Sequence, residues 1–360
     1  MEKTGKVRLE WIDAMRGFTM ILVVAYHVAL QGFDESVKVS SSLPFLVLFR
    51  MPLFFFISGF LSYRSKADWS FGGLVQMVGK KTRIQIIPTI VFFMTFVALT
   101  APNNFVGTLI EDFHSPTKGG YWFTLVLLYM FIVYYIYEFF IQKLRTKSSL
   151  PYIILWIIAI ALYETCYLPH DFYWAYGASK ENQTGWLYDS SIFQFMLFFH
   201  FFVFGNMVHR YWSKVEKMFD CQGIILTIII IAFLSTGDYL KFHLLKGAWA
   251  NLSQTLARYS LLTLVFLFFR YYQDCFTKER KLGRVLQYIG TRTLDIYLLH
   301  FMFIPNLPQI GEYFQQNRHN FVIDTSLSII IAMIVIGFCL LISNVLRISP
   351  FLKKYLFGRS

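Results

Sequence analysis

The sequence has 360 residues, of which 56% are hydrophobic, 19% are aromatic and only 15% are charged. Soluble domains carry about 25% charged residues and could not bury this much apolar surface, so the composition excludes an ordinary soluble protein and indicates a membrane protein. The formal net charge of +12 does not indicate nucleic-acid binding, because the basic residues lie between apolar segments and form no single block.

The N-terminal segment is basic and then apolar, as in a secretory signal peptide. Its apolar part is too long for such a peptide, and no small-residue cleavage site follows it. We therefore expect a first helix that is retained in the membrane. The four cysteines have no metal-ligand spacing, so we expect no metal site, and by the predicted topology only Cys166 lies near the outer face, so we expect no disulfide. They are Cys166, Cys221, Cys275 and Cys339.

Apolar runs of about 20 residues, long enough to cross a bilayer as helices, follow one another along the chain, and about ten are present. They lie at 11–31, 43–63, 84–101, 121–141, 152–168, 191–209, 223–240, 252–270, 286–304 and 325–346. Lys and Arg concentrate in alternate loops and near both ends, which predicts cytoplasmic termini. The predicted fold class is all-α: a polytopic membrane protein with one transmembrane domain over 8–347 and a short basic cytoplasmic tail over 348–360.

Several ionisable side chains lie within these spans, where each costs at least about 2.5–3.5 kcal/mol unless it faces a polar interior. They are Arg50, Arg258, Arg292, His27, His200, His300, Glu164 and Asp295. At about 1.5 Å per residue, His27 and His300 fall in the outer half of the membrane, and Arg50 about 10 Å below the outer surface. Arg16 and Arg83 lie near the cytoplasmic face. The sequence therefore predicts a basic cytoplasmic mouth below a deeper layer of His and Arg.

Helix geometry connects the two predicted layers. Arg16 and His27 lie about three turns apart, so they share a helix face with a separation of about 16 Å. Asp13 is placed to pair with Arg16 at i,i+3. A second polar face, in the segment TRTLDIYLLH, consists of Thr293, Tyr297 and His300. Each residue alone is equally well explained by packing or snorkelling, and only the group indicates a reaction site.

The second span contains the sequence RMPLFFFISGF. Pro52 frees backbone carbonyls and permits a kink close to Arg50. The small Ser58-Gly59 pair lets another helix approach closely. Both features are commonly structural.

Four motifs in this order resemble the acyltransferase-3 family of integral membrane O-acyltransferases, whose members acylate surface sugars and related acceptors. They are the opening RLEWIDAMRGFTMILVVAYHV, the second-span PLFFFISGFL, the basic KKTRIQIIP and the late TRTLDIYLLH. The resemblance extends from about Arg8 to Arg347. Two positions depart from the pattern: Lys81-Thr82-Arg83 stands where many members have Arg-x-Arg, and Arg50 stands where close relatives often have His.

The resemblance implies acyl-CoA as the donor substrate, with no permanently bound cofactor, and a hydroxyl of a carbohydrate or glycolipid as the acceptor. The cations that would bind the phosphates of CoA are Arg16, Lys81, Arg83 and Arg292. His27 is the expected base, because the ordinary pKa of histidine, about 6.5, suits proton transfer at neutral pH. Arg50 would stabilise the oxyanion or hold the acceptor, while Tyr297 and His300 would orient it. An acyl-histidine relay is the alternative to direct attack.

The implied location is the cytoplasmic membrane, with multiple spans. A secondary transporter or flippase could use the same intramembrane charges for translocation, and two repeated halves with broken helices would favour it. A membrane glycosyltransferase would place catalytic carboxylates in large loops. Neither feature is visible in the sequence, so an O-acyltransferase, with acetyl as the expected group, is the preferred interpretation.

Overall fold

A computed structural model describes residues 9–36, 40–64, 67, 69–144, 148–166, 189–246, 249–316 and 320–357. Within these ranges the chain is helical and contains no strand. The α-helices are Glu10–His27 (α1), Leu43–Ser62 (α2), Phe71–Thr100 (α3), Phe105–His114 (α4), Trp122–Lys143 (α5), Leu150–Thr165 (α6), Ile192–Arg210 (α7), Trp212–Phe219 (α8), Gln222–Gly237 (α9), Ala250–Tyr271 (α10), Lys281–Thr291 (α11), Thr293–Leu299 (α12), Pro308–Gln316 (α13), Phe321–Leu346 (α14) and Pro350–Phe357 (α15).

Eight of the described helical segments are long and apolar enough to cross a membrane. This confirms the prediction of an all-α, multi-pass membrane protein. The predicted span 152–168 corresponds to α6, which has only 16 residues. The predicted span 286–304 is not one helix. It divides into α11, α12 and a 3₁₀ turn, because Arg292 leaves helical geometry (φ −114°, ψ 17°) between two threonines and close to Gly290.

The chain groups into two compact units. The first unit consists of Met1–Phe54, Met218–Leu245 and Ser253–Leu340, and the second of Phe55–Lys217, Lys246–Leu252 and Leu341–Ser360. Helix α2 therefore contributes its first part to the first unit and its last part to the second.

In the first unit, α1 and α11 touch backbone to backbone. A Cβ atom on Gly17 would lie 2.0 Å from the carbonyl oxygen of Leu286, and one on Gly290 would lie 1.8 Å from that of Asp13. Both distances are far below van der Waals contact, so only glycine fits at either position. This contact determines which residues of α1 meet those of α11 and α12.

The second unit contains an equivalent contact between the end of α2 and α7. A Cβ atom on Gly59 would lie 1.8 Å from the carbonyl oxygen of Phe202, and one on Gly205 would lie 2.0 Å from that of Phe56. The close approach predicted from Ser58-Gly59 is therefore confirmed. Helix α2 continues without interruption through Pro52.

A buried ion pair lies at the end of α7 in the same unit. Arg210 donates to the Glu138 carboxylate, and its Cζ lies 3.9 Å from the centre of the Tyr152 ring. The Tyr152 hydroxyl donates to the same carboxylate over 3.2 Å. Arg210 thus has an acidic partner and an aromatic partner within the second unit, while its Nε atom has no acceptor among the described residues.

The predicted tail over 348–360 includes a helix, α15, that packs on α3. Phe357 is buried, with its ring 6.0 Å from that of Phe92. Arg347 lies over the same Phe357 ring at 4.2 Å. An aromatic anchor therefore holds this end of the described chain against the second unit.

A buried carboxyl pair lies in the first unit, at the end that the charge pattern predicts to face outward. Asp324, at the start of α14, accepts hydrogen bonds from the Ser41 hydroxyl at 2.8 Å, the Ser42 hydroxyl at 3.1 Å and the Ser42 amide at 3.2 Å. Glu35, which follows the first span, is only 3% exposed. Burial raises its pKa to about 7; Ser40 opposes the rise and the Asp324 charge adds to it.

Glu35 should make the stability of the protein depend on pH. Between about 4.5, the ordinary glutamate pKa, and about 7, the folded chain holds a proton that the unfolded chain releases. Stability should therefore fall as pH rises through this window, by about 1–3 kcal/mol, with no further contribution from Glu35 above it. The melting temperature in detergent, measured from pH 4.5 to 8.5, tests this.

The substitution Glu35→Gln should remove that part of the pH dependence, because the amide cannot ionise. Glu312→Gln, an exposed carboxylate on α13, is the matched control and should retain the wild-type slope. Equal slopes for wild type and Glu35→Gln would contradict the assignment.

Candidate active site

His27 is the last residue of α1, and a π-helical turn over Val28–Gly32 follows it. Its ring centre lies 4.9 Å from that of Phe301 and 5.2 Å from that of His300. The Nδ1 atom of His27 is buried and has no hydrogen-bond partner among the described residues. The structure therefore brings together the two histidines that the sequence placed at the same depth, and one nitrogen of His27 is available.

His300 is completely buried at the junction of α12 and the 3₁₀ turn His300–Met302. Its Nδ1 lies 2.8 Å from the carbonyl oxygen of Tyr297 and 3.1 Å from that of Ile296. A carbonyl oxygen can only accept, so Nδ1 carries the hydrogen and Nε2 of the neutral ring has a lone pair. Nε2 is buried without a partner in the described chain. The main-chain carbonyl groups of α12 thus fix the tautomer of His300 in which Nε2 is the hydrogen-bond acceptor.

Arg50 lies on α2 in the first unit, and its Cζ is 3.5 Å from the centre of the Tyr26 ring. The Tyr26 ring is also in edge-to-face contact with the neighbouring His27, with ring centres 5.3 Å apart. The Nε atom of Arg50 is buried and has no acceptor, and no described carboxylate pairs with the guanidinium. A cation in an apolar span that has an aromatic ring but no described carboxylate as its partner is not neutralised, which favours a functional role.

Tyr297 is the fourth residue predicted for this layer. It is 5% exposed, and its ring centre lies 6.1 Å from that of His300. Tyr297 contacts His300 through its main chain, because its carbonyl oxygen accepts a hydrogen bond from His300 Nδ1.

A second polar group lies on the same helices, near the glycine contact. Arg16 donates to the Thr293 hydroxyl over 2.9 Å and pairs with Asp13 over 3.5 Å. Arg292 pairs with Asp295 over 3.3 Å. The predicted i,i+3 pair of Asp13 and Arg16 is therefore confirmed, and Arg16 and Arg292 lie on either side of Thr293.

Lys81 and Arg83, which were also predicted to bind the donor, lie on α3 in the second unit. The Nζ atom of Lys81 is 3.6 Å from the centre of the Phe131 ring, and Arg83 is exposed. His200 belongs to the same unit, where it is buried beside Tyr163 with ring centres 4.9 Å apart. The predicted residues therefore divide between the units, with His27, Arg50, Tyr297, His300, Arg16 and Arg292 in the first.

The first unit also contains a large apolar cavity of about 960 Å³, formed by α9, the turn after it and α10. No described histidine, lysine or arginine lines it, and its one carboxylate, Asp238, accepts a hydrogen bond from the Leu244 amide. This cavity lacks an acid–base group that is free to react, so the histidine cluster is the better candidate.

Two neighbours of the cluster could not be identified from the sequence. Tyr26 and Phe301 are ordinary aromatic residues in an aromatic-rich chain, and nothing in their spacing distinguishes them. Their adjacency to His27 and His300 is the one available signal. Their contacts depend on how α1, α2 and α12 pack.

These residues correspond to a known family. A family model described as an acyltransferase domain matches residues 9–345, which includes α1 and the TRTLDIYLLH segment. The chain belongs to the acyltransferase-3 family. It is a membrane acyltransferase that transfers groups other than aminoacyl groups. Neither a curated protein nor a solved structure matches the chain significantly.

Because no described carboxylate pairs with Arg50, its removal should affect the stability of the acyltransferase in a predictable direction. Arg50→Met should leave the stability unchanged or raise it by up to about 2 kcal/mol, because it removes a charge that has no counter-ion. Arg210→Met is the matched substitution. It should cost about 3–5 kcal/mol, because it leaves the fully buried Glu138 charge without its partner.

Thermal unfolding in detergent at pH 7 measures both variants. Equal destabilisation by the two substitutions would show that Arg50 has a structural counter-ion, contrary to the geometry described above.

Proposed function

We propose that this acyltransferase moves an acyl group, most simply acetyl, from acyl-CoA to a hydroxyl of a carbohydrate or glycolipid. One observation carries the proposal. His27 Nδ1, His300 Nε2 and Arg50 Nε are buried without hydrogen-bond partners among the described residues, and ring contacts connect the three side chains. Two histidines and one cation supply the proton acceptor and the positive charge that acyl transfer to an alcohol requires.

The reaction is written with His27 as the base. As the acceptor oxygen attacks the thioester carbon, His27 takes the hydroxyl proton. The carbonyl oxygen becomes an oxyanion, which the Arg50 guanidinium stabilises. The tetrahedral intermediate then collapses, the carbon–sulfur bond breaks, and the departing CoA sulfur takes the proton from His27. The products are the ester and CoA thiol.

His300 contributes an acceptor to this scheme. Its Nδ1–H is engaged by the carbonyl oxygens of Ile296 and Tyr297, so Nε2 of the neutral ring keeps its lone pair. This lone pair orients the attacking hydroxyl by accepting a hydrogen bond, and Tyr297 supports it through the main chain. An acyl-histidine relay would use His27 as the nucleophile in place of base.

The donor is proposed to enter from the side of Arg16. Helix α1 places Arg16 about 16 Å from His27 on the same face. Arg16 and Arg292 supply cations there for the CoA phosphates, while Lys81 and Arg83, in the second unit, stay predicted donor ligands. Acyl-CoA is made in the cytoplasm, so this direction agrees with the predicted cytoplasmic mouth and with location in the cytoplasmic membrane. The acceptor hydroxyl then approaches from the opposite side.

Removal of the base tests the proposal. His27→Ala should lower the rate of acyl transfer by about 10²–10⁴-fold, because no other group would take the hydroxyl proton. The measurement is CoA release from labelled acetyl-CoA by purified protein with a hydroxyl acceptor. His243→Ala, an exposed histidine of the first unit, is the control and should retain wild-type activity.

A folded His27→Ala protein with wild-type transfer would refute the role of His27. Label retained on His27 in the absence of acceptor would select the relay over direct attack. Uptake of labelled substrate into vesicles without thioester cleavage would instead favour transport.

A further inference from the structure

The partner of Arg50 is the ring of an aromatic residue. Its guanidinium carbon lies 3.5 Å from the centre of the Tyr26 ring, and Tyr26 itself is 9% exposed. No described carboxylate forms an ion pair with Arg50. The Tyr26 face is thus the main attractive contact that the described structure provides for this cation.

An aromatic partner has a chemical consequence that a carboxylate would not have. A carboxylate neutralises a guanidinium and accepts from its N–H groups, usually two at a time. A ring attracts the guanidinium through its negative face and leaves the N–H edge able to donate. The cation is therefore held in place and is still able to stabilise a developing negative charge.

The position of Tyr26 in the chain connects this contact to the base. Tyr26 directly precedes His27 at the end of α1, and the two rings pack edge to face. One helix end therefore presents the base and the platform for the cation together. Because α1 is fixed against α11 by Gly17 and Gly290, this pair has a defined position in the first unit.

We propose that Tyr26 is a positioning residue, whose ring face holds the Arg50 guanidinium with its N–H edge directed at the acyl oxyanion. The proposal rests on the proposed function, because it assigns Tyr26 to the step in which Arg50 acts. The ring face, rather than the hydroxyl that also interacts with Arg50, is assigned this role.

The test compares Tyr26→Phe, which keeps the ring face, with Tyr26→Leu, which removes it. Tyr26→Phe should keep kcat within about threefold of wild type, whereas Tyr26→Leu should lower kcat about tenfold, the size of one desolvated cation–π contact. The KM for acetyl-CoA should change by less than about twofold in both, because Tyr26 is not assigned to donor binding.

A double-mutant cycle separates positioning from packing. In an Arg50→Gln background, Tyr26→Leu should lower kcat by less than about twofold, since the cation it would position is absent. Trp11→Leu is the control, because it removes a buried ring from the same helix that contacts Phe266 and not Arg50. Its effect on kcat should be the same in both backgrounds.

A variant of unchanged shape covers the case in which Tyr26→Leu does not fold. A 3,4,5-trifluorophenylalanine at position 26 keeps the ring but weakens its negative face, and should lower kcat relative to Tyr26→Phe. Equal rates for these two proteins would overturn the proposal. So would full additivity of Tyr26→Leu with Arg50→Gln, or an equal loss in Tyr26→Phe and Tyr26→Leu.

Failure of the proposed function gives a different result. If Arg50→Gln alone keeps wild-type kcat, Arg50 does not stabilise the oxyanion and both ideas fail. If Arg50→Gln is impaired while Tyr26→Leu is not, the role of Arg50 stands and only the role of Tyr26 is wrong.

Discussion

The structure of the candidate site depends on one backbone contact, between Gly17 of α1 and Gly290 of α11. Neither position has space for a Cβ atom, so the two helices cannot shift past one another without a clash. Close to this contact, the Arg16 guanidinium donates a hydrogen bond of 2.9 Å to the Thr293 hydroxyl. At the end of α1 and just after α12, the rings of His27 and His300 are 5.2 Å apart. A close helix contact without side chains thus determines which polar groups meet several turns away.

The helix interruption at Arg292, between α11 and α12, also affects the position of His300. Helix α12 follows this interruption and ends in a 3₁₀ turn, where the carbonyl oxygens of Ile296 and Tyr297 lie close to the Nδ1 atom of His300. These oxygens determine which nitrogen of His300 carries hydrogen. The backbone contacts of His300 Nδ1 at this turn therefore leave the lone pair of the neutral ring on Nε2.

Two buried arginines of this chain show how a structural and a reactive charge differ. Arg210 has a carboxylate and a tyrosine ring as partners, so its charge is neutralised within the fold, although its Nε has no acceptor among the described residues. Arg50 contacts Tyr26 and forms no ion pair with a described carboxylate. Groups that cost stability and gain no hydrogen bond are expected where a substrate supplies the missing partner.

Much of the fold follows from the sequence, because apolar length predicts membrane helices and local spacing predicts local contacts. The pairing of Asp13 with Arg16 and the close approach at Gly59 are of this kind. The break at Arg292 could not be predicted, because the flanking segment is apolar enough to be taken for one span. The contact of Arg50 with Tyr26 depends on packing between helices, which periodicity does not describe.

The candidate site was predictable to a similar extent. His27 and His300 are conspicuous because ionisable groups are rare in apolar spans, and the motifs around them resemble one family. Their mutual contact and the acceptor state of His300 required the structure. The cytoplasmic location of both termini and the joint action of Arg16 and Lys81 stay predictions.

The most direct test of the account is a structure of the acyltransferase bound to a non-hydrolysable acyl-CoA analogue, determined by electron cryo-microscopy. The account predicts that the carbonyl oxygen of the analogue lies within hydrogen-bond distance of the Arg50 guanidinium, about 2.7–3.1 Å. The carbonyl carbon should face His27, and the CoA phosphates should contact Arg16. An acyl group bound away from His27 and Arg50, or an Arg50 paired with a protein carboxylate, would contradict it.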